Sequence, residues 1–163
     1  MELWDAYDAS LTKIENMTLV RGKPIPNHVF HLVCDILVKH TDGTFLLMKR
    51  DPRKHFGGMW EATAGGSALM GETPLQCAIR ELKEETGIMS TNLVEVGREV
   101  SEETHSIYVE FLCITDWNKE NITLQEYETV DFQWVKKEEL LSLKKSEFVT
   151  ERMQKYISEL TQK

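Results

Sequence analysis

The sequence predicts an α/β protein of the α+β type, with helices layered on a mixed β-sheet, as a single domain over residues 1–163. Three observations predict this fold class. Segments rich in β-forming residues recur along the chain, a few segments have helical periodicity, and the two kinds do not alternate regularly as they do in a Rossmann fold. A length of 163 residues suits one domain, and no internal repeat or low-complexity segment divides it.

Seven segments are predicted as strands because they are rich in β-branched, aromatic or alternating apolar residues. They are Leu3–Tyr7, Val29–Val38, Thr44–Met48, Met59–Thr63, Leu93–Val100, Ser106–Ile114 and Val130–Val135. The Asp42-Gly43 pair predicts a tight hairpin turn between the second and the third. Thr18–Pro26, which carries one glycine and two prolines, is predicted as a loop, as are residues 51–58 and 118–126.

The strongest helix prediction begins at Thr73. Thr73 suits the N-cap, Pro74 the first helical position, and Gln76 completes a capping box three residues on. Gly87 is placed just beyond the helix end, where Ile88 folds back on the last turn. The predicted apolar stripe consists of Leu75, Ala78, Ile79 and Leu82.

Two further helices are predicted towards the end of the chain. Lys137–Leu143 forms a short one, and residues 147–160 a longer one. The apolar face of the longer helix consists of Val149, Met153, Tyr156, Ile157 and Leu160. We expect this face to pack on the core, with an edge available for a homodimer.

The charge and cysteine content exclude several functions. The net charge of −8 and a pI near 5.2 disfavour binding to nucleic acid polymers and anionic membranes. No apolar run approaches the roughly 20 residues that span a bilayer, and no signal peptide is recognised. Cys34, Cys77 and Cys113 lack metal or redox spacing, which predicts free buried thiols in a cytoplasmic protein.

Three glutamates on the first helix indicate chemistry. Glu81, Glu84 and Glu85 fall within an arc of about 100°, where each like-charged pair costs roughly 0.2–0.5 kcal/mol. They also lie near the negative end of the helix dipole. A bound hard cation such as Mg²⁺ or Mn²⁺ would explain this placement. The alternative is a solvated acidic face.

Residues 66–88, GSALMGETPLQCAIRELKEETGI, match a known signature. The seven invariant positions of the signature are filled by Gly66, Glu72, Arg80, Glu81, Glu84, Glu85 and Gly87. This segment resembles the Nudix box, and the chain is therefore similar to the Nudix hydrolases. The resemblance implies a Nudix-type α/β/α sandwich with a central mixed sheet. It also implies Mg²⁺- or Mn²⁺-dependent attack of water on phosphorus in a nucleoside diphosphate linked to another moiety.

The resemblance also assigns roles to residues. It makes Glu81, Glu84 and Glu85 metal ligands, with Glu128 as a distal ligand and Glu126 as its competitor. A base for the attacking water would be either Glu81 or Glu85.

Other positions in and beside the box complete the set. Gly65 is expected to bring its carbonyl close to the metal, because a glycine allows close approach. Arg80, counted with the catalytic residues, is expected to orient a glutamate such as Glu72. Gly66 and Gly87 are given structural roles.

Substrate recognition rests on fewer signals. Arg50 and Arg53, with Lys54, form a basic cluster that could bind phosphate; a solvated loop is the alternative. Phe56 and Trp60 are candidates for stacking on a base, as are Tyr108, Trp117 and Tyr127. For Trp60, at a strand position, a place in the core is the alternative. The expected partner is a small nucleotide or another diphosphate.

Two alternatives to a hydrolase stay open. The N-terminal segment from Glu2 to Asp8, with His31, resembles the branch related to isopentenyl-diphosphate isomerase. Isomerases of that type use a cysteine soon after the tryptophan of the loop, whereas here Trp60 is followed by Glu61. A non-catalytic nucleotide sensor is the other alternative, although such proteins commonly lose carboxylates that are present here.

Overall fold

The computed structural model describes residues 1–149 together with Gln154 and Ile157. The strands and helices assigned within them are β1 Leu3–Tyr7, β2 Lys13–Val20, β3 His31–His40, β4 Phe45–Arg50, β5 Trp60–Ala62, β6 Ala64–Ser67, α1 Pro74–Thr86, β7 Leu93–Ser101, β8 Ser106–Thr115, β9 Thr129–Val135 and α2 Lys137–Ser142.

The main sheet is mixed. Its centre is β3, which pairs in parallel with β8 from His31↔Ser106 to His40↔Thr115. Beyond β8, β7 is antiparallel; on the other side lies β4, which pairs with both β5 and β9. β1 and β2 form a separate antiparallel hairpin.

The sheet opens between β3 and β4. These strands pair at Lys39↔Phe45 beside the predicted turn, where the Gly43 amide donates to the His40 carbonyl oxygen over 2.9 Å. Farther along, β3 pairs with β6, placing Gly65 opposite Asp35 and Gly66 opposite Cys34. The divergence therefore brings a glycine-containing strand alongside β3, where α1 packs.

Helices cover both faces of the sheet. On one face, Leu82 of α1 and Ile88 pack against Leu32 and Ile36 of β3 in the larger core cluster. On the other face, a cluster contains Leu37, Leu47, Leu140 of α2, Phe148 and Ile157. This layering confirms the predicted α/β/α sandwich around a mixed sheet.

The predicted boundaries of α1 are confirmed. Thr73 accepts a hydrogen bond from the Gln76 amide and completes the capping box, and Gly87 is left-handed with φ 80°. The Gly87 amide donates to the Lys83 carbonyl oxygen over 2.9 Å. One prediction within the helix was wrong, because Leu75 is exposed and Cys77 is fully buried in its place.

Two strand predictions need correction. β2 includes residues 18–20, which were expected to begin a loop, and it forms because it pairs with β1. β6 was not predicted, because Ala-Gly-Gly-Ser has low strand propensity and becomes a strand by pairing with β3. The predicted short helix is confirmed as α2.

The start of the predicted terminal helix was also wrong. Residues 147–149 form a turn and a bend, with Phe148 bridged to Trp60. Gln154 and Ile157 are helical, and the other predicted stripe positions, Met153, Tyr156 and Leu160, lie outside the described residues.

Two predictions from composition can be compared with the structure. Cys34, Cys77 and Cys113 are free and buried, as predicted. Among the helices of the described residues, none is long and apolar enough to cross a membrane.

Candidate active site

A polar cavity of about 310 Å³ lies beside α1. Glu81, Glu84 and Glu85 line it from the helix, and Gly65 and Gly66 line it from β6. Lys54 and Glu128 line it from the loops before β5 and β9. The structure therefore brings all five predicted metal ligands (Gly65, Glu81, Glu84, Glu85 and Glu128) to one cavity.

The two glycines allow buried carboxylates to approach the backbone. A Cβ atom on Gly66 would lie 2.3 Å from Oε1 of Glu81, closer than any van der Waals contact. The Gly65 amide donates to Oε2 of Glu85 over 3.3 Å. Glu81 and Glu85 are only 9% and 5% exposed, so β6 and α1 confine both carboxylates in the cavity wall.

Arg80 organises the carboxylates around it. Its Nε and Nη2 donate to the two carboxylate oxygens of Glu72 over 2.7 and 2.9 Å. Its Nη1 donates to Glu81 over 2.9 Å and to Glu84 over 3.1 Å. Burial would raise the pKa of Glu72, but the hydrogen bonds from Arg80 and the Leu69 amide outweigh it and lower the pKa. The fork matches the orienting role expected of Arg80.

The two buried glutamates of the cavity hold their protons more tightly than an exposed glutamate does. Burial is the largest cause that raises the pKa of Glu81 to about 7, against the opposing effect of Arg80. Burial, followed by the charges of Glu61 and Glu81, raises the pKa of Glu85 well above its usual range. The carboxylates of Glu61, Glu81 and Glu85 repel one another when they are ionised, so the cavity is suited to a cation.

Glu61, the residue after Trp60, was not predicted as a site residue. Burial raises the pKa of Glu61, although Arg50 opposes this through an ion pair of 2.7 Å. A signal for it existed, since a glutamate within an otherwise apolar strand segment needs a partner when it is buried. Glu128, which also lines the carboxylate cavity, is paired with Lys54.

The donor set fits a hard divalent cation. It consists of glutamate carboxylate oxygens together with a glycine backbone. Two of the glutamates, Glu81 and Glu85, are buried and have raised pKa values. Among the described residues, no three His, Cys, Asp or Glu side chains are grouped in a way that could hold a metal ion. Arg80 pairs with Glu81 and Glu84, and Lys54 pairs with Glu128.

Of the two distal glutamates, Glu128 lines the cavity. Glu126 lies near Arg53, where its charge is one of the minor effects that raise the pKa of that guanidinium. The geometry thus favours Glu128 for the distal position.

The predicted substrate-binding residues are dispersed. Arg53 pairs with Asp51 over 2.5 Å, and its guanidinium lies 4.3 Å from the centroid of the Tyr127 ring. Phe56 is exposed and lines a separate apolar cavity of about 90 Å³. Trp60 packs with the cluster under α2. These three side chains lie outside the carboxylate cavity.

A second cavity, of about 240 Å³, adjoins the first. Gly65 and Gly66 line both cavities, so β6 is their common wall. Arg50, Glu61 and Tyr108 also line the second one. Among the predicted recognition residues, Arg50 and Tyr108 therefore line this second cavity, and Lys54 lines the first.

The NUDIX domain model matches residues 29–157. The chain belongs to the Nudix hydrolases. An uncharacterized Nudix hydrolase of Listeria monocytogenes is 34% identical over 152 residues, which cover 91% of this chain and 89% of the relative. The CTP pyrophosphohydrolase of Escherichia coli is 32% identical over 102 residues, covering 61% of this chain and 72% of that enzyme. The predicted family is thus confirmed, and the chain is an enzyme of the pyrophosphohydrolase class.

Solved structures show the same fold. A Deinococcus radiodurans protein superimposes with a TM-score of 0.69 at 18% identity, covering 86% of this chain and 87% of that one. The NUDIX domain of Shewanella oneidensis NrtR, crystallised with ADP ribose, superimposes with a TM-score of 0.65 at 17% identity, covering 81% and 88%. The resemblance to the isomerase-related branch stays a prediction.

Proposed function

We propose that this Nudix hydrolase cleaves a diphosphate bond of a nucleoside diphosphate derivative in the cavity between α1 and β6. The observation that carries the proposal is the convergence of Glu81, Glu84, Glu85 and Glu128 on one cavity, with two of them buried. Such an arrangement is unfavourable for a protein without a cation and favourable for one that binds a diphosphate through a cation.

Nudix hydrolases generally use divalent cations such as Mg²⁺ or Mn²⁺. We assign Glu81, Glu84, Glu85 and Glu128, with the Gly65 carbonyl, to hold them here. When bound, such a cation neutralises phosphate oxygens and acidifies a coordinated water. Mg²⁺ takes one or two carboxylates together with phosphate oxygens, which suits a cavity open to substrate.

The protein residues supply orientation and a base. Arg80 donates to Oε1 of Glu81 and opposes the rise in the pKa of that carboxyl. Glu85 is surrounded by other carboxylates and lies against the Gly65 amide, so we assign it as the base. Water oxygen attacks phosphorus, its proton passes to Glu85, and the bridging P–O bond breaks to release two phosphate-bearing fragments.

We assign the nucleoside to the second cavity. Tyr108 offers an aromatic face there, and Arg50, held by Glu61, lies at the same wall. Since Gly65 and Gly66 line both cavities, a nucleoside in one would extend its diphosphate into the other. Arg50 then keeps its predicted role in substrate binding.

The alternatives are less well supported. An isomerase of the type considered above needs an accessible cysteine near the site, but Cys34 and Cys77 are fully buried beside α1, with their thiols directed to backbone carbonyl oxygens. A nucleotide sensor does not need a complete set of carboxylates.

Free buried thiols agree with a cytoplasmic protein, which we propose as its location. The single-domain organisation and the homodimer stay predictions.

A substrate panel assayed in ¹⁸O-labelled water tests the proposal. Nucleoside triphosphates, ADP-ribose and dinucleoside polyphosphates would be incubated with Mg²⁺ or Mn²⁺, and the products analysed by mass spectrometry. Hydrolysis that incorporates ¹⁸O into one phosphate product, and that a chelator abolishes, is expected. Isopentenyl diphosphate converted to its isomer, with no hydrolysis of the panel, would refute the proposal.

A further inference from the structure

The N-terminal hairpin lies outside the segment that matches the family, yet it contributes to the candidate active site. β1 and β2 end at Val20, whereas the match begins at residue 29. Glu2 and Arg21, which flank the paired ends of the hairpin, line the same cavity as Glu81 and Glu85. The hairpin thus adds a wall to the cavity that the family segment does not supply.

Hydrogen bonds from backbone amides fix this hairpin on the loop before α1. The Met70 amide donates to the Leu3 carbonyl oxygen over 3.0 Å, and the Gly71 amide donates to the Asp5 carboxylate over 2.8 Å. At its other end, Tyr7 pairs with Phe30 through two backbone bonds of 2.9 Å. A residue at the hairpin ends is therefore held in a defined position relative to the carboxylates.

Arg21 is the least engaged basic residue of the cavity. Arg80 contacts three glutamates, and Lys54 is paired with Glu128. Arg21 has one ion pair, in which Nη1 lies 3.2 Å from Oε2 of Glu2, and its side chain is 68% exposed.

Glu2 holds Arg21 beside the cavity through an exposed ion pair, which leaves the guanidinium able to bind another anion. The Arg21 amide donates to the Glu2 carbonyl oxygen over 3.0 Å, and Trp4 Nε1 donates to Oε1 of Glu2 over 2.8 Å. Trp4 itself is stacked on His31 with ring centroids 4.2 Å apart. An exposed pair of this kind contributes little, whereas a guanidinium binds phosphate through two parallel hydrogen bonds.

The cavity lining indicates which part of a substrate Arg21 meets. Among the described residues, no aromatic side chain lines this cavity, and Leu69 is its one large apolar residue. A base would find no stacking partner there, while a phosphate chain would find guanidinium and ammonium groups. Arg21 lines this cavity and does not line the one that Tyr108 lines.

We propose that Arg21 is a specificity-determining residue that binds the terminal phosphate of a linear nucleoside polyphosphate. It thereby favours nucleoside triphosphates over diphosphates whose far end is an uncharged sugar. This inference rests on the hydrolase function proposed above and on the nucleoside lying in the second cavity.

The test compares ATP with ADP-ribose, which share the adenosine and differ at the far end. For Arg21→Ala, the ratio of kcat/KM for ATP to that for ADP-ribose should fall about tenfold, mainly through KM for ATP, because a charge-assisted bond to the terminal phosphate is lost. Arg21→Lys keeps the charge without the fork and should restore part of the ratio. Arg98→Ala, which breaks a comparable exposed pair with Glu95 on β7, is the control.

Each outcome can be assigned. An unchanged ratio in Arg21→Ala, or an equal loss for both substrates, would overturn the inference while leaving the hydrolase function in place. An equal loss accompanied by a lower melting temperature would identify a structural role for the residue. A wild-type enzyme that hydrolyses neither compound, nor any other of the panel, would overturn the proposed function itself.

Discussion

Replacing Glu85 by glutamine should stabilise the metal-free protein while it inactivates the enzyme. Burial and the charges of Glu61 and Glu81 raise the pKa of Glu85 well above its usual range, so the folded state holds its proton more tightly than the unfolded state does. Wild-type stability therefore falls as the pH rises above the unfolded value near 4.5. Glutamine has nearly the same volume and no charge, and it removes this loss.

The magnitude follows from the setting of the carboxylate. Glu85 is 5% exposed, and its hydrogen bond from the Gly65 amide can be kept by the glutamine oxygen. Relief of a buried like-charge interaction is worth about 1–2 kcal/mol, or roughly 2–8 °C in melting temperature for a domain of this size. Loss of the base should lower kcat by about 10²–10⁴-fold.

The assay is thermal unfolding with a chelator, at pH 4.5 and at pH 7.5, beside steady-state kinetics with Mg²⁺. Glu85→Gln should melt higher than wild type at pH 7.5, and the difference should shrink towards pH 4.5. Glu120→Gln, on an exposed loop, is the control for removing one negative charge from the protein. A Glu85→Gln protein that melts lower at pH 7.5, or that keeps its kcat, would contradict our account of the site.

Three further predictions concern two other residues of the site and the buried His31. Gly66→Ala should fold, as judged by circular dichroism, but lose at least about tenfold in activity, because its Cβ would displace the Glu81 carboxylate. Arg80→Lys should lower kcat by about tenfold with a smaller change in KM, since one ammonium cannot replace the fork; an unchanged kcat would refute the orienting role. Burial, followed by His105, lowers the pKa of His31 to about 4, so the unfolded state takes up its proton first as the pH falls. Protonation of His31 should therefore destabilise the fold by about 1–3 kcal/mol from pH 7 to pH 4, opposite in sign to the effect of Glu85, and in urea titrations wild type should lose this much relative to His31→Gln.

Local signals in the sequence were sufficient for the helix that carries the carboxylates. The capping box at Thr73 and the left-handed Gly87 are decided by neighbours within four residues, and both were predicted. The spacing of Glu81, Glu84 and Glu85 likewise needs only the helical repeat. The buried face of this helix was predicted less well, because Leu75 and Cys77 exchange roles according to how the helix lies on the sheet.

The elements that sequence analysis missed depend on distant partners. β6 is a strand because β3 offers it a free edge where β4 diverges, and nothing in Ala-Gly-Gly-Ser indicates this. Glu61 reaches the site because its strand, β5, pairs with β4. Arg21 precedes the glutamates of α1 by 60 residues or more in the sequence, so only the docked hairpin reveals that they line one cavity.

The free-energy cost of burying these carboxylates is offset by the apolar core beneath α1 and by cation binding. Ala78 and Leu82 of α1 and the neighbouring Ile88 are fully buried against β3, and they anchor the helix that exposes its carboxylates to the cavity. Loading with a cation at a hundred times its Kd would add about 2.7 kcal/mol to stability, comparable with the 1–2 kcal/mol that Glu85 costs. Cation binding and folding are therefore coupled: adding Mg²⁺ should raise the melting temperature of wild type more than that of Glu85→Gln. Equal shifts in the two proteins would show that Glu85 is not a ligand.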